Sequence, residues 1–199
     1  KELGCEYMLK ENVANNGSIG FAVYKRRGNI VNESPFFTCI LEGINYSISK
    51  YGYHLNFIYL DKKMTIEEQK SILGAANCKG LIIFAVEMQY EDLAVFKESG
   101  LPFVVLDNSF QENDIDAVAI NNTQGTSKAL LHLYEMGHRE IGYLRSKVRI
   151  NSFDERYMVY KNQLKRLGLS FNREYVVDVG YSENEVKQGI KSYLQSNPK

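Results

Sequence analysis

Short apolar runs recur along this chain, each separated from the next by a segment with helical spacing. IGFAVY (residues 19–24), YHLNFIYL (53–60), GLIIFAV (80–86) and FVVL (103–106) are the four clearest. A strand apolar at consecutive positions is covered on both faces, as in a parallel sheet. AVAI (117–120), IGYL (141–144) and VVDV (176–179) read as three more strands. Helical patterns lie between them at 37–51, 66–76, 90–99, 123–136, 153–167 and 182–195. Ile40, Leu41, Ile44 and Ile48 line one face of the first, and Gly52 stops it. Thr65 suits an N-cap, with Glu67 and Glu68 in the first turn behind it. Gly100, Gly137 and Gly168 end three further helices, and Ser182 with Glu185 makes a capping-box pattern.

Strict alternation with short connections gives right-handed β-α-β units and a parallel α/β sheet. Ligands of such sheets bind beyond the carboxyl ends of the strands. The positions to search are therefore Tyr24-Lys25, Asp61, Glu87-Met88, Asp107-Asn108, Asn121-Asn122, Arg145-Ser146 and Gly180-Tyr181.

Composition narrows the function classes. The 199 residues suffice for one large domain or two small ones. Lys+Arg and Asp+Glu are both 24, so the chain has no net charge to attract nucleic acid by itself, and any DNA contact needs another segment. Cys5, Cys39 and Cys78 form no CxxC pair and no metal spacing, which predicts reduced, mostly buried thiols and a cytoplasmic protein. No apolar run reaches the roughly 20 residues of a membrane span. The chain begins at Lys1 and shows no signal peptide. GxSxG, GxxxxGK[ST], HExxH and a GxGxxG after the first strand are all missing, so neither an enzyme nor a cofactor site is expected. His54, His132 and His138 read as structural, with His138 placed to satisfy the last carbonyls of the helix before it.

Three features remain as ligand candidates. Asp107 ends an apolar strand, where a carboxylate is costly unless used, and two hydroxyl donors of a polyol suit it. The bland alternative is a cap on the turn through Asn108 and Ser109. Arg156, early in the fifth helix, either pairs with Asp154 or Glu155 or aims its fork at a ligand. Phe36 and Phe37 follow Ser34-Pro35 at the mouth of the first strand–helix loop. Adjacent side chains diverge, so one ring suits a ligand and the other the core.

Several segments together resemble the sensor domains of the lactose-repressor family. Ile19-Gly20, Ser34-Pro35-Phe36-Phe37 and Leu41-Glu42-Gly43-Ile44 are similar to that family's "IG…(N)PFF…L.GI" opening. Cys78-Lys79-Gly80-Leu81-Ile82 and Leu101-Pro102-Phe103-Val104-Val105-Leu106-Asp107 follow in the same order. His132-Leu133 with Gly137-His138-Arg139-Glu140-Ile141-Gly142-Tyr143-Leu144 looks like the family's "HL…GHR.I.YL" segment, the most specific match of the set.

The resemblance implies an α/β fold of the periplasmic-binding-protein-like type I, with two Rossmann-like lobes and parallel sheets. Residues 1–16 would be the end of a DNA-binding headpiece and its linker, 17–121 the first lobe, and 122–199 a partial second lobe. The chain stops at Pro198-Lys199, just before the family's next strand, so the second lobe is expected to be incomplete. By motif position, Asp107, Arg156, Phe36, Phe37 and Tyr181 would contact the effector, and Tyr24 suits the same ring. The implied protein is a cytoplasmic, dimeric repressor-type regulator. A small-molecule effector, a carbohydrate first, would control its operator DNA binding through a headpiece missing from this chain. The rival reading is a transport-type sugar-binding protein of the same fold. An enzyme on a similar sheet is the third.

Overall fold

The computed structural model describes residues 15–26, 35–110, 115–180 and 182–196. Its strands are β1 (Gly17–Lys25), β2 (Tyr53–Asp61), β3 (Cys78–Phe84), β4 (Phe103–Leu106), β5 (Ala117–Val118), β6 (Tyr143–Ser146) and β7 (Val176–Val179). The helices are α1 (Pro35–Ser49), α2 (Ile66–Ala75), α3 (Ala94–Glu98), α4 (Asn122–Glu135), α5 (Asn151–Arg166) and α6 (Glu183–Ser196). The five-stranded sheet has the order β2-β1-β3-β4-β5, and β6 and β7 form a second sheet. The pairings of β1 with β2 and β3, of β4 with β5, and of β6 with β7 are all parallel. By compactness the chain divides into Lys1–Phe84 with Gln89–Val104, and Ala85–Met88 with Val105–Lys199.

In the first unit β1 is the core. Phe21, Ala22, Val23 and Tyr24 are all buried. Successive side chains point to opposite faces. Phe21 meets Phe37 of α1 at 6.0 Å and Phe84 at 6.0 Å, whereas Tyr24 meets Phe96 of α3 at 6.5 Å on the other face. Gly20 lets β1 lie close to its neighbours, for a Cβ there would stand 2.6 Å from Leu81 Cδ2 and 2.8 Å from Ile58 Cδ1. Thr65 caps α2 in the full reciprocal box with Glu68.

Several elements depart from the sequence reading. β2 is an edge strand covered on one face only: Ile58 and Leu60 are buried, but Phe57 and Tyr59 are 44% and 49% exposed and stack on each other. The third helical pattern splits into a 3₁₀ turn at Tyr90–Leu93 and the short α3. The cause is Asp92, whose carboxylate accepts the Gln89 N–H at 2.9 Å and fixes a tight turn. β5 is only two residues long, and Asn122 N–H already turns back onto Ile120 O at 2.8 Å. The thiols also divide: Cys78 is buried but Cys39, on the open side of α1, is exposed, and Cys5 lies outside the described residues.

In the second unit Leu130, Ile141, Tyr160, Leu164 and Val176 form the core. Burying an apolar side chain of this size stabilises by about 1.5–3 kcal/mol. The Tyr160 hydroxyl is satisfied by donating to Ile141 O at 2.8 Å. Gly137, at φ 93, ends α4. The His138 side chain does not cap that helix; its backbone N–H reaches Leu133 O at 3.0 Å, and the Arg139 guanidinium donates to Tyr134 O at 2.8 Å. The box at Ser182 is present, with its hydroxyl bonded to Glu185 at 2.7 Å.

Candidate functional site

Asp107 stands where β4 ends, with φ of 60. That left-handed conformation is one that Asp and Asn tolerate better than most residues. Its N–H donates to Val118 O at 2.8 Å. The next residue, Asn108, is 4% exposed and holds the turn in place. Its Nδ2 donates to Ala85 O at 2.9 Å and Met88 O at 3.1 Å. Its Oδ1 accepts the Ser109 N–H at 2.8 Å and Asn151 Nδ2 at 3.0 Å. Every donor and acceptor of this amide has a partner, so the turn that presents Asp107 is tied both to residues 85–88 and to the start of α5.

Arg156 lies in the second turn of α5, beside the same turn. Of its expected partners, Asp154 pairs with Arg149 at 3.1 Å instead. Arg156 donates from Nε to Asn122 Oδ1 at 2.6 Å, and Asn122 Nδ2 donates to Glu155 Oε2 at 2.8 Å. The Phe153 ring lies 5.8 Å from the guanidinium carbon. The charge of Arg156 reaches Asp107: burial pushes the Asp107 carboxyl above the usual carboxylate range, and the guanidinium pulls it part of the way back. The same two influences, burial first, act on the half-buried phenol of Tyr143.

Of the six residues named from the sequence, the structure thus brings Asp107 and Arg156 together in one compact unit. Phe36 and Phe37 belong to the other unit and diverge. Phe37 packs into the core at 5.3 Å from Phe84, while Phe36 is 39% exposed. Tyr24 is 2% exposed, with its hydroxyl on Asp92 at 3.1 Å, on the sheet face opposite Phe37. Burial, and then the negative Asp92, holds that phenol far above its ordinary value. Tyr24 is therefore a core residue bracing Asp92, and it is set aside as a ligand contact. Lys62 Nζ meets the same buried carboxylate at 2.7 Å. Tyr181 lies outside the described residues.

Sequence reasoning named Asn108 and Asn122 only as strand-end positions to search, and it passed over Asn151, Phe153 and Tyr143 as site residues. Asn108 and Asn122 stand at strand ends, the one signal that marks them. The contacts of the other three depend on tertiary pairing. An acid, a guanidinium, a phenol and an aromatic ring can accept from hydroxyls, donate to ring oxygens and cover a sugar face. They offer no nucleophile paired with a base. Among the described residues no cluster of three His, Cys, Asp or Glu is placed to hold a metal, and no helix is long and apolar enough to cross a membrane.

Comparison with known proteins points the same way. The repressor named PurR of Pectobacterium carotovorum subsp. carotovorum is 28% identical over 82% of this chain, and 48% of its own length is covered. The ribose operon repressor of Halalkalibacterium halodurans is 23% identical over 96% of this chain and 57% of its own length. The chain thus spans about half the length of these relatives. Among solved structures, a transcriptional regulator CelR in complex with cellobiose superposes with a TM-score of 0.76 at 19% identity. The superposition covers 90% of this chain and 56% of that one, a likeness of fold. The profile of one family, "Periplasmic binding proteins and sugar binding domain of LacI family", matches residues 16–199, and to that family the chain belongs.

Proposed function

We propose that the chain is the effector-sensing core of a repressor-type transcriptional regulator, and that Asp107 and Arg156 hold its effector, a sugar. The observation that carries this is their placement in one compact unit, with Asp107 in a left-handed turn at the end of β4 and within electrostatic reach of the guanidinium. A half-buried acid that gains nothing for the fold suits recognition of hydroxyls. Phe36 and Tyr181 complete the proposed set as ring contacts. The lobes are taken as 17–121 and 122–199, with 1–16 as the tail of a headpiece and linker. Relatives described as operon repressors support control of operator DNA through a headpiece outside this chain, in the cytoplasm. Binding and no catalysis is the role: the effector shifts the balance between DNA-competent and incompetent forms.

A homodimer fits the first unit's surface. Among its described side chains α1 contributes no fully buried residue, Tyr46 and Tyr51 are exposed, and the edge strand β2 shows Phe57 and Tyr59. Exposed aromatic side chains of this kind are what subunit contacts cover. The family description also includes periplasmic binding proteins, which favours a transport-type sugar-binding protein as the second reading.

The test is thermal unfolding against a panel of mono- and disaccharides (ribose and cellobiose among them), sugar phosphates and purines. A ligand bound only by the folded form raises the midpoint with concentration. The expected result is a shift with one sugar class, abolished by Asp107→Ala and by Arg156→Ala. No shift across the panel refutes the sugar assignment. A shift with operator binding unchanged by ligand in the full-length protein favours the transport reading.

A further inference from the structure

Asn122 is one of five buried polar residues among those described, at 7% exposure, and it takes no part in strand pairing. It sits at the first position of α4, one residue after Asn121, whose side chain caps the helix by accepting the Gln124 N–H at 2.8 Å. Capping is therefore already done, and the Asn122 amide serves elsewhere. Its two ends meet opposite charges: Oδ1 takes the Arg156 Nε–H at 2.6 Å, and Nδ2 gives to Glu155 Oε2 at 2.8 Å. A guanidinium can only donate and a carboxylate only accept, so a single amide orientation satisfies both. Glu155 is steadied in turn by the Thr123 hydroxyl at 3.5 Å and lies by the amino end of α4, where a negative charge is favoured.

We infer that Asn122, held by Glu155, is a positioning residue that fixes the rotation of the Arg156 guanidinium. The Nε–H is engaged, which sets the plane of the group and leaves the two Nη nitrogens as the recognition fork. A bidentate fork fixed in advance loses less freedom when it meets a ligand than a swinging one. Asn122 and Glu155 need touch no ligand. In its functional half this rests on the effector-site reading above; the brace itself does not.

Proton exchange at Arg156 Nε–H, followed by nuclear magnetic resonance on the intact nitrogen-labelled protein, tests the brace without a ligand. The signal is assigned by its loss in Arg156→Lys. Asn122→Leu keeps the volume and removes the acceptor; exchange should quicken about tenfold or more, the factor matching about 1.4 kcal/mol of lost bonding. Asn122→Ala gives the same readout should the leucine variant fold poorly. Asn122→Asp, made together with Glu155→Gln so that no second carboxylate faces it, keeps an acceptor oxygen against Nε and should keep exchange slow. A mere packing role predicts the reverse, with leucine tolerated and the buried charge disruptive, and that order overturns the proposal. The two readings fail separately. Slow exchange restored by Asn122→Asp, with no ligand found in the panel, keeps the brace and removes the effector site. A sugar lost on Arg156→Ala, with exchange indifferent to Asn122, keeps the site and removes the brace.

Discussion

Asn108→Ala tests how the turn that presents Asp107 is held. The substitution removes four hydrogen bonds, to Ala85 O, Met88 O, Ser109 N and Asn151 Nδ2. Two of those partners keep a second bond: Ala85 O still receives the Met88 N–H at 3.0 Å, and Asn151 still reaches Ser109 O at 3.2 Å. Met88 O is left short of a donor beside a side chain 2% exposed. An orphaned buried carbonyl costs about 1–3 kcal/mol, and each of the other lost bonds about 0.5–1.5 kcal/mol. Allowing for water at the half-buried Ser109, the net loss is about 3 kcal/mol. For a chain of this size that lowers the unfolding midpoint by about 6–12 °C. Differential scanning calorimetry reads it directly. Asn108→Asp is the sharper control. It keeps the shape but turns a donor into a buried negative charge facing two carbonyls, so it should destabilise at least as much. A loss under about 2 °C for alanine, or a milder effect for aspartate than for alanine, would refute the view that this amide's donors hold the turn.

Two further outcomes follow from the geometry. Asp107→Asn should stabilise the protein at neutral pH by about 0.5–2 kcal/mol while abolishing ligand binding. Burial raises the folded carboxyl's affinity for its proton, so that group's contribution is present below the ordinary carboxylate range and lost as pH rises through the raised folded value. The gain from asparagine should therefore shrink as pH falls from 7 towards 4 in urea titrations, and a gain that grows in acid would count against burial as the cause. Gly20→Ala places a methyl 2.6 Å from Leu81 Cδ2 in a filled core; about 1–3 kcal/mol of stability should be lost by urea unfolding, and an unchanged midpoint would mean the sheet relaxes there freely.

What was legible in the sequence is what neighbours along the chain decide. β4 falls at its expected residues because four consecutive apolar positions leave no other reading, and β7 does so with three valines around one acid. The stops at Gly137 and Gly168 were visible because both need positive φ. Asp107 was singled out by its cost, an acid closing an apolar run. β2 misled because its apolar residues 57–60 suggested cover on both faces, yet only one face is covered: edge or centre is a matter of sheet order, which no local pattern encodes. Tyr24 misled for a related reason. Its place at a strand's end suggested a ligand, yet Asp92, 68 residues away, claims its hydroxyl. The Arg156 partner was missed likewise: the sequence offered Asp154 and Glu155, and the structure supplied Asn122, 34 residues back.

The buried polar residues make one pattern. Among the described residues, Gln69 apart, they are Glu87, Asp92, Asn108 and Asn122, and each lies in the segment that follows the carboxyl end of a strand. A polar group taken from water gives stability only through its bonds, so a chain selected for stability alone gains little by burying them. Asp92 and Asn108 do what apolar packing does badly: their bonds fix the direction of backbone turns. This explains why stability and recognition separate at some residues and not at others. Asn108 orders the turn through its own bonds, so its loss harms both. The Asp107 carboxylate is a cost to the folded state, so its removal should harm recognition alone. A residue whose replacement makes the protein firmer and the site inert is one the fold carries for its ligand.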